Sequence, residues 1–398
     1  MIQLYNKSYK DRRYYFIITL ILLLSFLSYE IHVYEYYSTG LIIVSALLMS
    51  LMGLFFLYES EPDRSLYSVV KKNYGTILLF GCMIFLTALG NILFEMNRSI
   101  SVLYVVMMLC CLFPSFFILP IILNRNQRLF EYFINLITWL GCILAVFALV
   151  IYYNPEALPY ELEYGRARSI YFDPNYCAMV LGIVLTLNVN GKKIKRTIFV
   201  CSLCGYAILL TGSRGTVISI IVACCVYILL FSKLSAVKKI VIITLAGIAF
   251  IFLIEYLQEL DFFREEQGLN GRDKLIAIAM EAIKESPLIG YGYQSIGTYL
   301  LDIRKATNAS THNTFVDYAF SYGVIALFAY IVIILKNFSK GMKNKSEPFL
   351  MLALIFMIIN SNSIVYSFGG VGIGSLLFTI ILGIVANRNK EKLRNGDG

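Results

Sequence analysis

The chain has 398 residues, is 59% hydrophobic and only 15% charged, and carries a formal net charge of +9. Soluble domains carry about a quarter charged residues, so an ordinary soluble fold is excluded. Several apolar runs reach about 20 residues, enough to cross a hydrocarbon core of roughly 30 Å, and their continuity excludes a β-barrel, whose strands alternate over about ten residues.

The pattern is that of an all-α polytopic membrane protein, a single integral membrane domain over 1–398. Apolar runs predict twelve spanning helices near 14–29, 40–58, 75–95, 100–123, 132–153, 174–190, 197–212, 215–232, 239–257, 313–335, 348–366 and 369–387. The first run ends in SYEIHVYEYYS, with no small-residue cleavage site, so it is expected to stay as a helix. With the N-terminus in the cytoplasm, 24 of the 34 Lys and Arg fall inside and every inside segment is basic. Both ends are then cytoplasmic, and the net charge reflects topology rather than nucleic-acid binding.

Ten cations remain outside: Arg98, Arg166, Arg168, Arg214, Arg264, Arg272, Lys274, Lys284, Arg304 and Lys305. Seven of these ten are arginine, against eight of the 24 inside. Topology needs only charge. Arginine adds a planar fork that binds phosphate and carboxylate bidentately, so the bias points to an external anion site, with chance in a small sample as the alternative.

Two external segments are long enough to hold structure: 154–173 and the larger 258–312. Within the second, GRDKLIAIAMEAIKESPLIGYGYQ predicts a short amphipathic helix with Ile276, Met280 and Ile283 on one face, ended by Pro287, Gly290 and Gly292. It is expected on the membrane surface or over a cavity. There is no internal repeat and no low-complexity segment.

Four external patches hold the unusual residues. EYGRARSIYFDPNYCAM places Arg166 and Arg168 before a Pro174-Asn175 helix start, whose exposed amides receive anions. LTGSRGTV places Arg214 in a tight turn between membrane helices; snorkelling at a helix end explains it equally well. NGRDK puts Arg272 at the start of the amphipathic helix, where a solvated charge is the plain alternative. STHNTF holds His312 and Asn313 at the head of the tenth span, with Asp317 one turn on; an interfacial histidine and a helix-start acid favoured by the dipole are the plain alternatives.

The nine cysteines, at 82, 110, 111, 142, 177, 201, 204, 224 and 225, sit in or beside apolar runs and read as small packing residues. His32, the second of two histidines, reads as structural or surface.

The ordered set SRG at 213–215, GR at 271–272, PLIGYG at 287–292 and HNTF at 312–315, followed by a helix with Gly323, resembles the O-antigen ligase and polymerase family; upstream RARSIYFDPN resembles the family's R…F-(D/N)-P-N segment. The signature covers 166–335. The resemblance implies a GT-C-like glycosyltransferase bundle in the bacterial cytoplasmic membrane, with its site on the outer face. It implies glycans on undecaprenyl pyrophosphate as donor and acceptor, and catalytic roles for Arg214, Arg272 and His312. Arg166 and Arg168 both match the upstream arginine, and Asn175, Tyr291, Tyr293, Asn313 and Asp317 are candidate substrate contacts by position and residue type.

The residues support that chemistry independently. Two arginines suit a departing pyrophosphate, replacing a metal, and the external segments hold no Asp-x-Asp motif for a divalent cation. A sugar hydroxyl needs a base, and neutral His suits pH 7. No cofactor or metal is expected. The resemblance implies a flippase and a chain-length regulator as candidate partners, with no nucleic acid. The richness in Ile, Lys, Asn and Tyr favours a polymerase of lipid-linked repeat units over a ligase to lipid A–core or transfer to protein. A transporter or flippase is disfavoured, since transporters place their polar groups near the bilayer midplane; a non-catalytic scaffold would not need clustered external arginines.

Overall fold

The computed structural model describes residues 2–27, 44, 46–54, 71, 73–94, 98–155, 165–171, 173–189, 193–258, 272–292, 295–304, 310–344, 346–370 and 372–387. His32, Gly271, Tyr293 and parts of both external segments lie outside the described residues. Every regular element among the described residues is a helix.

In chain order these are α1 (Ile2–Leu27), α2 (Tyr74–Phe94), α3 (Arg98–Phe113), α4 (Leu119–Arg125), α5 (Gln127–Tyr153), α6 (Pro174–Leu187), α7 (Ile194–Leu210), α8 (Arg214–Phe231), α9 (Ala236–Gln258), α10 (Arg272–Glu285), α11 (Thr314–Lys343), α12 (Pro348–Asn360) and α13 (Ile373–Asn387). Residues 46–54 are also helical. A π turn, Pro114–Ile118, joins α3 to α4 where Pro114 and Pro120 interrupt the expected continuous span.

Five helical stretches are long and apolar enough to cross a membrane: α2, Met108–Arg125, α5, α8 and α11. The chain is a multi-pass membrane protein. By this measure the described residues do not reach the expected twelve crossings. Three expected spans are short: α6, α12 and α13 have 14, 13 and 15 residues. At 1.5 Å per residue each covers only about 20 Å. They are almost wholly buried and pack on one another, with α5, α7 and α8 around α6 and with α4 and α11 against α13. Irregular backbone at their ends is tolerable because protein, not lipid, surrounds it.

The link between α12 and α13 corrects one expectation. The runs 348–366 and 369–387 read as two nearly adjoining spans; instead the helices stop at Asn360 and resume at Ile373. Ile364, Tyr366 and Phe368 kept the run apolar, yet they belong to an irregular link whose polar backbone pairs inside the bundle. Thr314 N–H donates to the Ser361 carbonyl (2.8 Å), Thr314 Oγ1 donates to the Ile364 carbonyl (2.7 Å), and Phe368 N–H donates to Tyr318 Oη (2.9 Å).

The tenth span is also broken. Gly323 interrupts α11 with φ 83° and ψ 165°. The freed groups find partners in the PLIGYG loop: Tyr291 N–H donates to the Phe320 carbonyl, Gly292 N–H to the Ser321 carbonyl and Val324 N–H to the Pro287 carbonyl, each at 2.8 Å. This loop fits between α11 and Gly90 of α2. The amphipathic helix α10 therefore docks on α11 rather than lying alone on the membrane surface. Its buried face is Leu275, Ala279, Ala282 and Ile283, while Met280, expected inward, is exposed.

Candidate active site

The segment 165–175 is pinned across the turn between α7 and α8. Ala167 N–H donates to the Leu210 carbonyl (2.9 Å), and Arg166 Nε donates to the Thr211 carbonyl (2.6 Å). Arg166 Nη2 donates to Asn175 Oδ1 (3.1 Å). Asp173 caps α6: its Oδ1 accepts from Asn175 N–H (2.8 Å) and from Asn175 Nδ2 (3.0 Å), and Pro174 occupies the first turn as expected. Arg166 and Arg168, alternatives in the sequence, thus separate. Arg166 joins two turns, whereas Arg168 is enclosed at 2% exposure.

Arg214 opens α8 with its side chain exposed. The next residue, Gly215, lies against the side chain of Ser363, where a Cβ would clash. Ser363 belongs to the same α12–α13 link that holds Thr314. One irregular link therefore touches the first residues of both α8 and α11, and Arg214 and His312 lie at neighbouring helix starts.

Arg272 opens α10, and docking of that helix on α11 carries it toward His312. The Arg272 charge reaches the His312 imidazole, and Asp173 acts on both side chains. Burial, then the Arg272 charge, pushes the His312 imidazole below its ordinary value; Asp173 opposes this. Burial likewise lowers Arg272, with Asp173 again opposing. His312 is therefore neutral at pH 7. Asp173 was not singled out as a site residue, although its cap position in DPN beside the arginine pair was visible. Nothing local in the sequence reports its electrostatic influence on Arg272, about a hundred residues away.

Four other expected contacts are engaged in structure. Asn313 is the N-cap of α11, accepting from Phe315 N–H (3.0 Å) and Val316 N–H (3.2 Å). Asn175 is held by Asp173 and Arg166 as above. Asp317, 8% exposed, accepts a hydrogen bond from Thr311 Oγ1 and does not cap the helix. Tyr291 is 6% exposed; its ring packs among Phe94, Tyr299 and Phe320, and its hydroxyl donates to the Ala282 carbonyl and to Glu285 Oε2, each at 3.2 Å. That placement gives Tyr291 a packing role. All nine cysteines are free.

The arrangement offers an exposed arginine, a half-buried arginine, a neutral imidazole and one carboxylate around adjoining helix starts. Such a set holds an anion and accepts a proton from a neutral nucleophile.

Residues 198–331 match the sequence profile of the O-antigen ligase family. The match runs from α7 to the middle of α11 and so contains Arg214, Arg272 and His312. The chain is 22% identical to the ComP-specific O-oligosaccharyltransferase of Acinetobacter baylyi, over 79% of this chain and 61% of that one. It is 24% identical to the O-antigen ligase of Pseudomonas aeruginosa, over 56% and 55% respectively. It is 22% identical to the teichuronic acid biosynthesis protein TuaE of Bacillus subtilis, over 72% and 67%. The chain spans only about three-fifths of the first relative's length and just over half of the second's.

Proposed function

For this member of the O-antigen ligase and polymerase family, we propose transfer of a glycan from a polyprenyl-pyrophosphate donor to an acceptor hydroxyl at the outer face of the bacterial cytoplasmic membrane. The observation that carries the proposal is the shared neighbourhood of Arg272, His312 and Asp173 beside the helix start bearing Arg214.

In the proposed reaction the acceptor oxygen attacks the anomeric carbon of the donor. The bond from that carbon to the pyrophosphate oxygen breaks. His312 takes the hydroxyl proton, and Arg214 and Arg272 hold the leaving polyprenyl pyrophosphate as its charge develops. The depressed imidazole favours this role, because burial and the Arg272 charge shift it further toward its neutral form. The arginine charge that depresses it is the same charge that receives the leaving group.

The acceptor divides the readings. The sequence favours a polymerase, which joins lipid-linked units to each other. The names of the first two relatives, an oligosaccharyltransferase and a ligase, favour attachment of an assembled glycan to a separate acceptor, and we adopt that reading. Polymerisation is the second reading. It is supported by a relative named for teichuronic acid biosynthesis, which aligns over 72% of this chain.

Gene deletion tests both. A ligase leaves long chains on the carrier lipid and none on the acceptor. A polymerase leaves single repeat units on the acceptor. Normal surface glycan and no accumulation on the carrier lipid would refute the transferase reading.

A further inference from the structure

We propose that Asp317 is a positioning residue for His312 and acts through Thr311; the inference rests on the reading of His312 as the acceptor base. His312 has φ 53°, in the left-handed region. A side chain there costs about 1–2 kcal/mol relative to the right-handed form. Such a conformation persists only when the surroundings over-determine it.

Constraints lie on both sides of His312. After it, Asn313 caps α11, and Thr314 is bonded to Ser361 and Ile364 of the α12–α13 link. Before it, His312 N–H donates to Ser310 Oγ (3.0 Å), and Thr311 Oγ1 donates to Asp317 Oδ1.

Asp317 lies one turn inside α11. The loop is thus tied back to the helix it introduces, with His312 at the crest of the tie. At 8% exposure Asp317 is buried, and its carboxylate is bonded to its own loop. A buried carboxylate is costly unless hydrogen-bonded, so the loop and the acid hold each other in place. Helix capping does not explain Asp317, since Asn313 fills that position. Its part in the proposal is to hold the strained turn that carries the imidazole.

The test uses the full chain reconstituted in lipid with a polyprenyl-pyrophosphate glycan as donor, comparing Asp317→Ala, Asp317→Asn, Thr311→Val and Thr311→Ser. Loss of the tie misplaces the base without removing it. Asp317→Ala and Thr311→Val should therefore lower kcat by about ten- to a hundred-fold, with KM for the donor near wild type. Asp317→Asn keeps an acceptor and Thr311→Ser keeps the hydroxyl, so each should restore most of kcat.

Wild-type kcat in Asp317→Ala or in Thr311→Val overturns the proposal. So does a raised KM with unchanged kcat in Asp317→Ala, which marks a substrate contact. If Asp317→Ala does not fold, the Thr311 pair decides alone. His312→Ala separates the two levels: wild-type turnover there removes the base reading itself, whereas its loss beside a normal Asp317 and Thr311 series removes only this inference.

Discussion

Gly323 and Leu288 meet where no side chain fits: a Cβ on Gly323 would run into the Leu288 carbonyl. The backbone at Gly323 also has φ 83°, which alanine adopts only under strain. Gly323→Ala should therefore destabilise the chain by about 2 kcal/mol or more. Gly247 has nothing within 4 Å of its would-be Cβ and makes the control. Thermal unfolding in detergent should show a clear drop for the first substitution and none for the second.

Tyr291 separates packing from sugar contact. Its ring fills an aromatic cluster and its hydroxyl is bonded within the same unit. Tyr291→Phe should cost about 1 kcal/mol of stability with transfer kinetics intact. Tyr291→Ala should cost about 3–5 kcal/mol by opening the cluster. A rise in KM for Tyr291→Phe at normal stability would assign the hydroxyl to substrate instead.

Arg166 spans Thr211 and Asn175 with two different nitrogens of one fork. A lysine carries a single ammonium and does not reproduce this planar geometry. Arg166→Lys should loosen the hold between the 165–175 segment and the α7–α8 turn. The expected result is a stability loss of about 1–3 kcal/mol together with reduced turnover. Both are read from the same purified sample.

The pH dependence follows from His312. An unfolded histidine takes its proton near pH 6.5, and the folded one takes it at lower pH. As pH falls through 6.5 the unfolded chain binds more protons than the folded one, so stability declines until the folded pKa is passed. The same depression keeps the base neutral. The acid limb of kcat/KM, which reports the free chain, should therefore lie below pH 6.5. Asp173→Asn preserves a good helix cap but removes the charge that opposes the depression, so the limb should move to still lower pH. An upward move would contradict the proposed electrostatics.

The parts of the fold legible in the sequence were those written in local pattern. The long spans α2, α5, α8 and α11 follow from continuous apolar runs. The start of α6 follows from DPN, and the stop of α10 from Pro287 and the following glycines. The short helices α12 and α13 were misjudged because the link between them is itself apolar, and its backbone pairs with Thr314 and Tyr318 from a distant helix. The docking of α10 was missed for a related reason: α11 must break at Gly323 before the PLIGYG backbone can pair with it. At the candidate site, residue type and order singled out Arg214, Arg272 and His312, which the structure places at neighbouring helix starts. Tertiary pairing alone distinguishes Arg166 from Arg168 and reveals Asp173.

The central claim is that Arg272 and His312 serve one bond-breaking step. The most direct measurement follows free polyprenyl pyrophosphate released from a lipid-linked glycan by the reconstituted chain in the presence of acceptor. The account predicts acceptor-dependent release by the wild type, and near-complete loss in both Arg272→Ala and His312→Ala at normal protein levels and unchanged unfolding midpoints. Release at the wild-type rate from either folded variant would contradict it.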